Sequence, residues 1–254
     1  MTISKITNMQ YKRILLKLSG EILGKSGSKG IDHVELQYYV KEIKKVHDMG
    51  VCVSIVVGGG NIHRGSKSLF QLDRTESDHI GVLATVMNGI ALRSCLENNG
   101  VPAIHMSSVH CTTICDFYKR QEAVKALDSG HVVIITGGLG LPYFTTDTAA
   151  SLRAIELGAE VMLKATNVDG IYNADPNIDP YATKFEHLTF QDAIEKNLAV
   201  LDKTAFVLCQ THQLPLIVFN AASPNALLRV IQGEHIGTIV SDYKKPNIYS
   251  VYSK

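Results

Sequence analysis

Short apolar runs rich in β-branched residues recur along this chain, and longer amphipathic stretches separate them. RILLKLS (13–19), VCVSIVV (51–57), VPAIHMS (101–107), HVVIIT (131–136), EVMLKAT (160–166) and PLIVF (215–219) read as strands buried on both faces. HVELQYYVKEIKKVHDMG (33–50) reads as a helix, with Asp32 at its N-cap, Glu35 three residues on and Gly50 as its stop. A long helix is expected from about Asp78 to Asn99, where Gly81, Ala84, Gly89 and Ala91 allow close packing against another helix. Shorter helices are expected at 118–127, 146–157, 202–212 and 224–232. Such alternation predicts an α/β protein: a three-layer αβα sandwich around a mainly parallel sheet. NVDGIYNADPNIDPYAT (167–183) breaks the rhythm, its Asp169-Gly170 turn and two prolines predicting a hairpin with an exposed loop. With no repeat or linker in 254 residues, one domain is expected, in two lobes at most.

Composition narrows the classes. Hydrophobic residues are 45% and charged residues 19%, as in folded globular proteins and unlike disordered ones. A formal net charge of +1 gives the whole molecule no pull towards nucleic acid or an anionic membrane. No apolar run approaches the roughly 20 residues that span a bilayer. The opening MTISKITNMQYKR lacks a signal-peptide core, so a cytoplasmic protein is expected. The five cysteines are scattered, which argues against a disulfide framework and for a reducing compartment. His105, His110, Cys111 and Cys115 cluster, but without the paired, repeated spacing of a zinc site; buried thiols are the plainer reading, and no metal site is expected.

Ligands of open parallel sheets bind beyond the carboxyl ends of the strands, and three glycine-rich loops fall there. They are SGEILG after the first strand, GGGNIHRG (58–65) after the second and GGLGLPYFTTD (137–147) after the fourth. None is a dinucleotide fingerprint, since His63 and Tyr143 stand where a third glycine belongs. LLKLSGEILGKS (15–26) nearly spells a P-loop, but Gly20 and Gly24 are one residue too close. Glycines let backbone N–H groups approach phosphate oxygens, and a helix N-terminus adds a favourable dipole. Lys17 lies between Leu16 and Leu18 inside a strand, where a charge is costly without a partner or a task. It either reaches a phosphoryl group near the strand's end or snorkels at the sheet edge.

KRILLKLSGE, VGGGNIHRG, DHIGVLATVMNGIALR, PYFTTDTAASLRAIELGAEVMLKATNVDGIYNADP and the later PLIVFN and GTIVSD resemble, in order, the bacterial UMP kinases of the amino acid kinase superfamily. The resemblance runs from about Lys12 to Asp242 and makes the stretch from Lys17 to Gly20 that superfamily's own phosphate loop, so Lys25 is not a Walker lysine. It implies ATP-dependent phosphorylation of UMP to UDP in pyrimidine nucleotide biosynthesis, with Mg²⁺ accompanying ATP. It also implies a homohexamer, with inhibition by UTP and activation by GTP as regulatory options. An acceptor lobe of about 11–165, an ATP lobe of about 166–242 and a tail at 243–254 are expected.

By the same resemblance, Lys17, Leu18, Ser19, Gly20, Gly60, Arg64, Thr166, Tyr172 and Asp175 would bind ATP. Gly59, Asp78 and the run Leu139, Gly140, Leu141, Pro142, Tyr143, Phe144, Thr145 and Thr146 would bind UMP. Lys17, Arg64 and Asp147 would be catalytic: Lys17 bridging the phosphates, Arg64 forking onto their oxygens, Asp147 organising lysine and metal. Asp78 could instead be a simple helix N-cap and Asp147 a capping residue; Asp202, in VLDKTAF, could lie near the centre. Two departures stand out. Leu139 and Leu141 replace a threonine and an asparagine found in many members, and KSGSKGID (25–32) differs from the usual loop, which leaves GTP regulation open. Two alternatives remain: the same fold with a carboxylate or carbamate acceptor, and a non-catalytic nucleotide or oxoanion module.

Overall fold

The computed structural model describes residues 9–25, 29–63, 72–174, 176, 178–198 and 200–242. Arg64, Asp175 and the tail 243–254 lie outside the described residues.

Six buried strands form the centre, as their apolar runs demand: β1 (Arg13–Leu18), β2 (Cys52–Val57), β3 (Ala103–Ser107), β5 (Val132–Thr136), β6 (Val161–Thr166) and β10 (Leu216–Asn220). Short β4 (Asp116–Phe117), β9 (His187–Leu188) and β11 (Thr238–Val240) complete a nine-stranded sheet in the order β4-β3-β5-β2-β1-β6-β10-β11-β9. All neighbours are parallel except β10 and β11. Helices α1 (His33–His47), α2 (Arg74–Asn98) and α7 (Ala226–Ile231) cover one face; α3 (Arg120–Asp128), α4 (Thr146–Leu157), α5 (Phe190–Glu195) and α6 (Lys203–Thr211) cover the other. Two apolar cores result. One joins Leu16, Ile55 and Leu163 to Val40 and Leu96; the other joins Leu15, Val56 and Met162 to Ala154 and Phe206. The expected αβα sandwich is the one found.

Asp32 caps α1 as its sequence predicts, accepting from Val34 N at 2.8 Å and Glu35 N at 3.1 Å. The long helix differs from expectation at its start. It begins at Arg74 rather than at Asp78, because Asp73 accepts from Glu76 N at 2.9 Å and is the true N-cap. This helix is also long and apolar enough, by length and composition alone, to cross a membrane, contrary to the sequence expectation. Its mixture of Gly, Ser, Thr and Asn hid that average, and it carries Arg74, Glu76, Asp78 and Arg93 while burying Leu92, Cys95 and Leu96 in the core. The hairpin differs too. The turn at Asp169-Gly170 precedes the strands, and β7 (Ile171–Tyr172) pairs with β8 (Lys184–Phe185) across the intervening excursion. Asp169 accepts from Tyr172 Oη at 2.6 Å and Lys184 Nζ at 3.0 Å, which fastens that turn to both strands.

Candidate active site

The chain leaves β1 for β2 on one side and returns later to β6 on the other, so the carboxyl end of β1 is a topological switch point. The loops that follow β1, β2 and β5 meet there. A Cβ on Gly20 would lie 2.6 Å from Gly60 N and 2.7 Å from Gly58 O, so only glycine lets the first two loops interlock. A Cβ on Gly58 would lie 3.5 Å from Thr146 Oγ1, which brings in the third. Behind them Asn88, fully buried on α2, donates to Gly58 O at 2.7 Å. It exchanges amide hydrogen bonds of 2.8 and 3.0 Å with Asn61, whose Nδ2 also donates to Gly30 O at 2.9 Å. Neither amide is left unsatisfied, so the backbone of the glycine loop is held from within.

Charge gathers at the same point. Lys17 on β1 and Lys164 on β6 are register partners, so both side chains leave the same face of the sheet. Asp147, in the first turn of α4, receives both: Lys17 Nζ at 2.8 Å from Oδ1 and Lys164 Nζ at 2.5 Å from Oδ2. Lys164 also donates to the Val200 carbonyl. Burial by itself would raise the Asp147 pKa, but the two ammonium groups overcome it and hold the carboxyl below its ordinary range. Burial pushes the Lys164 pKa down; Asp147 partly offsets that and Lys17 adds to it. The Asp202 carboxylate also acts on Lys164, so the described charges, Lys17, Lys164, Asp147 and Asp202, are balanced while the two ammonium groups stay side by side.

Two helix N-termini converge on this charge. Thr145 caps α4, accepting from Asp147 N at 3.0 Å and Thr148 N at 3.3 Å. Asp202 caps α6, accepting from Ala205 N at 3.0 Å. Its carboxylate also takes Thr145 Oγ1 at 2.5 Å and Thr148 Oγ1 at 2.8 Å, and so ties the two helix starts together. Paired lysines and helix dipoles suit phosphate oxygens.

The third loop runs from Gly137 to Thr145 across the mouth of the site. Gly137 N donates to Thr85 Oγ1 at 2.7 Å, and Tyr143 N to Asp78 Oδ2 at 2.8 Å, both partners standing on α2. Asp78 is therefore not a helix cap; its carboxylate holds this loop and is paired with Arg74 Nε at 2.8 Å. The Arg74 guanidinium lies 5.6 Å from the Tyr143 ring centre. Tyr143 has φ of 69°, a strained value for a bulky residue. Leu141, Tyr143 and Phe144 are exposed, while Leu139, Gly140 and Pro142 are half-buried.

On the other side of β1, Thr166 ends β6 and Tyr172 lies on β7. Thr166 Oγ1 donates to Val168 O at 2.7 Å, and the Tyr172 hydroxyl is turned to Asp169. Leu18 is buried, and Ser19 precedes the single 3-10 turn Gly20–Leu23. Lys17, Ser19, Gly20, Gly59, Gly60, Thr145, Thr146 and Asp147 thus lie on or beside one centre. Asp78 and Leu139 to Phe144 form its rim.

Sequence reasoning missed Lys164, although it sits inside VMLKAT as Lys17 sits inside RILLKL. The same anomaly, a charge within a buried strand, identifies both. Thr85, Asn61 and Asn88 gave no comparable signal, because a polar residue on a helix or in a loop is ordinary until its surroundings are known. In the histidine–cysteine cluster, His105 bonds Thr136 Oγ1 at 2.8 Å and His110 stacks on Phe117 at 4.1 Å. Cys115 is buried, and among the described residues no three His, Cys, Asp or Glu side chains converge to hold a metal.

The amino acid kinase family matches this chain over residues 12–220. A uridylate kinase from Pseudomonas putida is 49% identical over 234 residues, which cover 92% of this chain and 95% of that protein. Among solved structures, a UMP kinase from Bacillus anthracis superposes with a TM-score of 0.89 at 37% identity, covering 91% of this chain and 96% of the other. One from Ureaplasma parvum gives 0.85 at 39% identity, covering 92% and 100%. Sequence and fold agree: the chain belongs to the amino acid kinase family, in its uridylate kinase branch.

Proposed function

We propose that this protein transfers the γ-phosphoryl group of ATP to UMP, forming UDP and ADP. The observation that carries the reading is the Lys17–Asp147–Lys164 cluster at the meeting of three glycine loops, in a chain of the uridylate kinase branch. Phosphoryl transfer asks the protein mainly to align two substrates and to neutralise spreading charge. Lys17 and Lys164 supply positive charge, and Asp147 fixes where both ammonium groups stand. The N–H groups of Gly20, Gly59 and Gly60 donate to phosphate oxygens, with Arg64 as a further phosphate ligand. UMP lies against the loop from Leu139 to Thr146 in a lobe of about 11–165. ATP lies against Thr166, Tyr172 and Asp175 in a lobe of about 166–242.

The carboxylates fit a Mg²⁺ ion that arrives on the nucleotide, and not a resident ion. Asp147 is already shared by two lysines, and Asp202 by Thr145, Thr148 and a helix start. When bound with ATP, Mg²⁺ neutralises phosphate charge; the protein's part is to orient and dehydrate the reacting groups.

The product suits pyrimidine nucleotide biosynthesis in the cytoplasm. Self-association, with a homohexamer as the assembly to test, is supported by the exposed stripe Ile80, Leu83, Met87 and Ile90, spaced along one side of α2. GTP activation and UTP inhibition are the regulatory effects to test on it. The deciding experiment is an ATP-consumption assay with UMP, CMP, dUMP and small carboxylates. UMP should exceed CMP clearly in kcat/KM, because a site that hydrogen-bonds uracil leaves groups unpaired with cytosine. Turnover of a carboxylate in preference to UMP, or of neither, would remove this reading.

A further inference from the structure

The loop assigned above to the acceptor is held from α2 at Gly137 N and Tyr143 N, but its carbonyl side is held differently. Ser108, just after β3, donates its hydroxyl to Gly138 O at 2.8 Å. Ser108 Oγ in turn accepts from Arg153 Nη2 at 3.0 Å. A guanidinium has no acceptor, so the single Ser108 proton cannot point at Arg153 and is directed to Gly138. The Gly138 carbonyl can only accept, so the sense of that bond is set by the carbonyl itself; Arg153 holds the Ser108 oxygen in place from its other side.

Arg153 is built into the molecule. It is only 9% exposed, lies 3.9 Å from the Tyr118 ring centre and pairs with Glu156 Oε2 at 2.6 Å. Tyr118 Oη donates to the same Glu156 oxygen at 2.8 Å, so ring and carboxylate hold the guanidinium plane from two directions. The loop in turn packs directly on Ser108: a Cβ on Gly140, where φ is 75°, would lie 3.0 Å from Ser108 O. Arg153 stands on α4, the helix whose first turn presents Asp147 to Lys17 and Lys164. One rigid helix thus organises the charge at the reaction centre from its first turn and braces the acceptor loop from its buried side.

The geometry points to Ser108 and Arg153 as positioning residues of the acceptor loop, acting on UMP through Gly138 and not on ATP. This rests on the function proposed above, so the test has one readout that needs no turnover. Ser108→Ala removes both hydrogen bonds with little change of volume, and Ser108→Thr keeps the hydroxyl. Loss of one such bond should raise the KM for UMP by about 2- to 10-fold in Ser108→Ala, leaving the KM for ATP within about 2-fold. Ser108→Thr should restore it. Gly140 N donates to Gly137 O at 2.8 Å, so hydrogen–deuterium exchange there should quicken in Ser108→Ala and not in Ser108→Thr. A merely structural serine would move both KM values or neither, and either result overturns the inference. Should the wild-type protein leave UMP unphosphorylated, the functional reading falls on its own, and unchanged exchange at Gly140 then overturns the brace.

Discussion

Lys17 and Lys164 face each other across two hydrogen-bonded parallel strands and share one carboxylate, that of Asp147. Two like charges so close are tolerable only because the anion between them is held by a helix start. Both ammonium groups stand at the carboxyl end of the central strands, where the glycine loops meet.

Replacing Lys17 by alanine should lower kcat by at least about 10²-fold, the cost of losing one preorganised electrostatic donor. Lys164 and Asp147 remain paired, so folding and ATP affinity should change much less. Steady-state kinetics beside a thermal melt checks this; a variant with near-normal turnover removes Lys17 from the chemistry.

Lys164→Met tests the residue that sequence reasoning overlooked. The buried lysine suffers from burial and from the nearby Lys17, while Lys17 and Asp147 without it form a neutral pair. We expect kcat to fall by about 10- to 100-fold and Tm to fall modestly, because methionine fills the space of a costly buried cation but leaves Asp147 Oδ2 and the Val200 carbonyl without that partner. A large fall in Tm at retained activity would make Lys164 structural.

Acid stability should depend on His105. Burial, then Arg93, lowers its pKa from 6.5 to about 4, Asp116 opposing. Above about pH 6.5 the ring is neutral in folded and unfolded chains alike. Below that, the unfolded chain takes a proton that the native ring refuses, so stability is lost as pH falls towards 4, by about 2–3 kcal/mol at pH 4.5. Urea denaturation at pH 7 and pH 4.5 should show a smaller drop for His105→Gln than for the wild type. Equal drops would mean that His105 titrates alike in both states.

The Leu139→Thr, Leu141→Asn double variant should bind UMP more tightly than the wild type. Hydroxyl and amide groups there could bond the nucleotide, whereas leucines offer packing, and Leu141 is 57% exposed with little to pack on. A gain of about 2- to 13-fold is expected from one neutral hydrogen bond. Calorimetric titration decides; no gain would mean that the leucines compensate by covering the acceptor.

The sequence by itself determined the six central strands, because continuous apolar runs can only be buried on both faces, and it singled out Lys17 as a charge inside one of them, followed by glycines. It also placed α1 and α4 closely, since Asp32, Thr145 and Gly158 mark their ends chemically. The Thr189–Asp192 capping box of α5 was equally readable and went unread. Strands of two or three residues, such as β4, β9 and β11, carry too little pattern to be seen in a sequence. The Asp73 cap of α2, with Glu76 three residues on, was a local signal as well. Only the tertiary structure decided that Asp78 holds Tyr143, and that Lys164, Asn88 and Arg153 stand behind the site. Each of these last four roles depends on a partner 17 to 65 residues away in the chain: 147 for Lys164, 58 for Asn88, 108 for Arg153 and 143 for Asp78. Local propensity reports what a residue favours among its sequence neighbours; a hydrogen bond between distant residues exists only once the sheet order has brought them together.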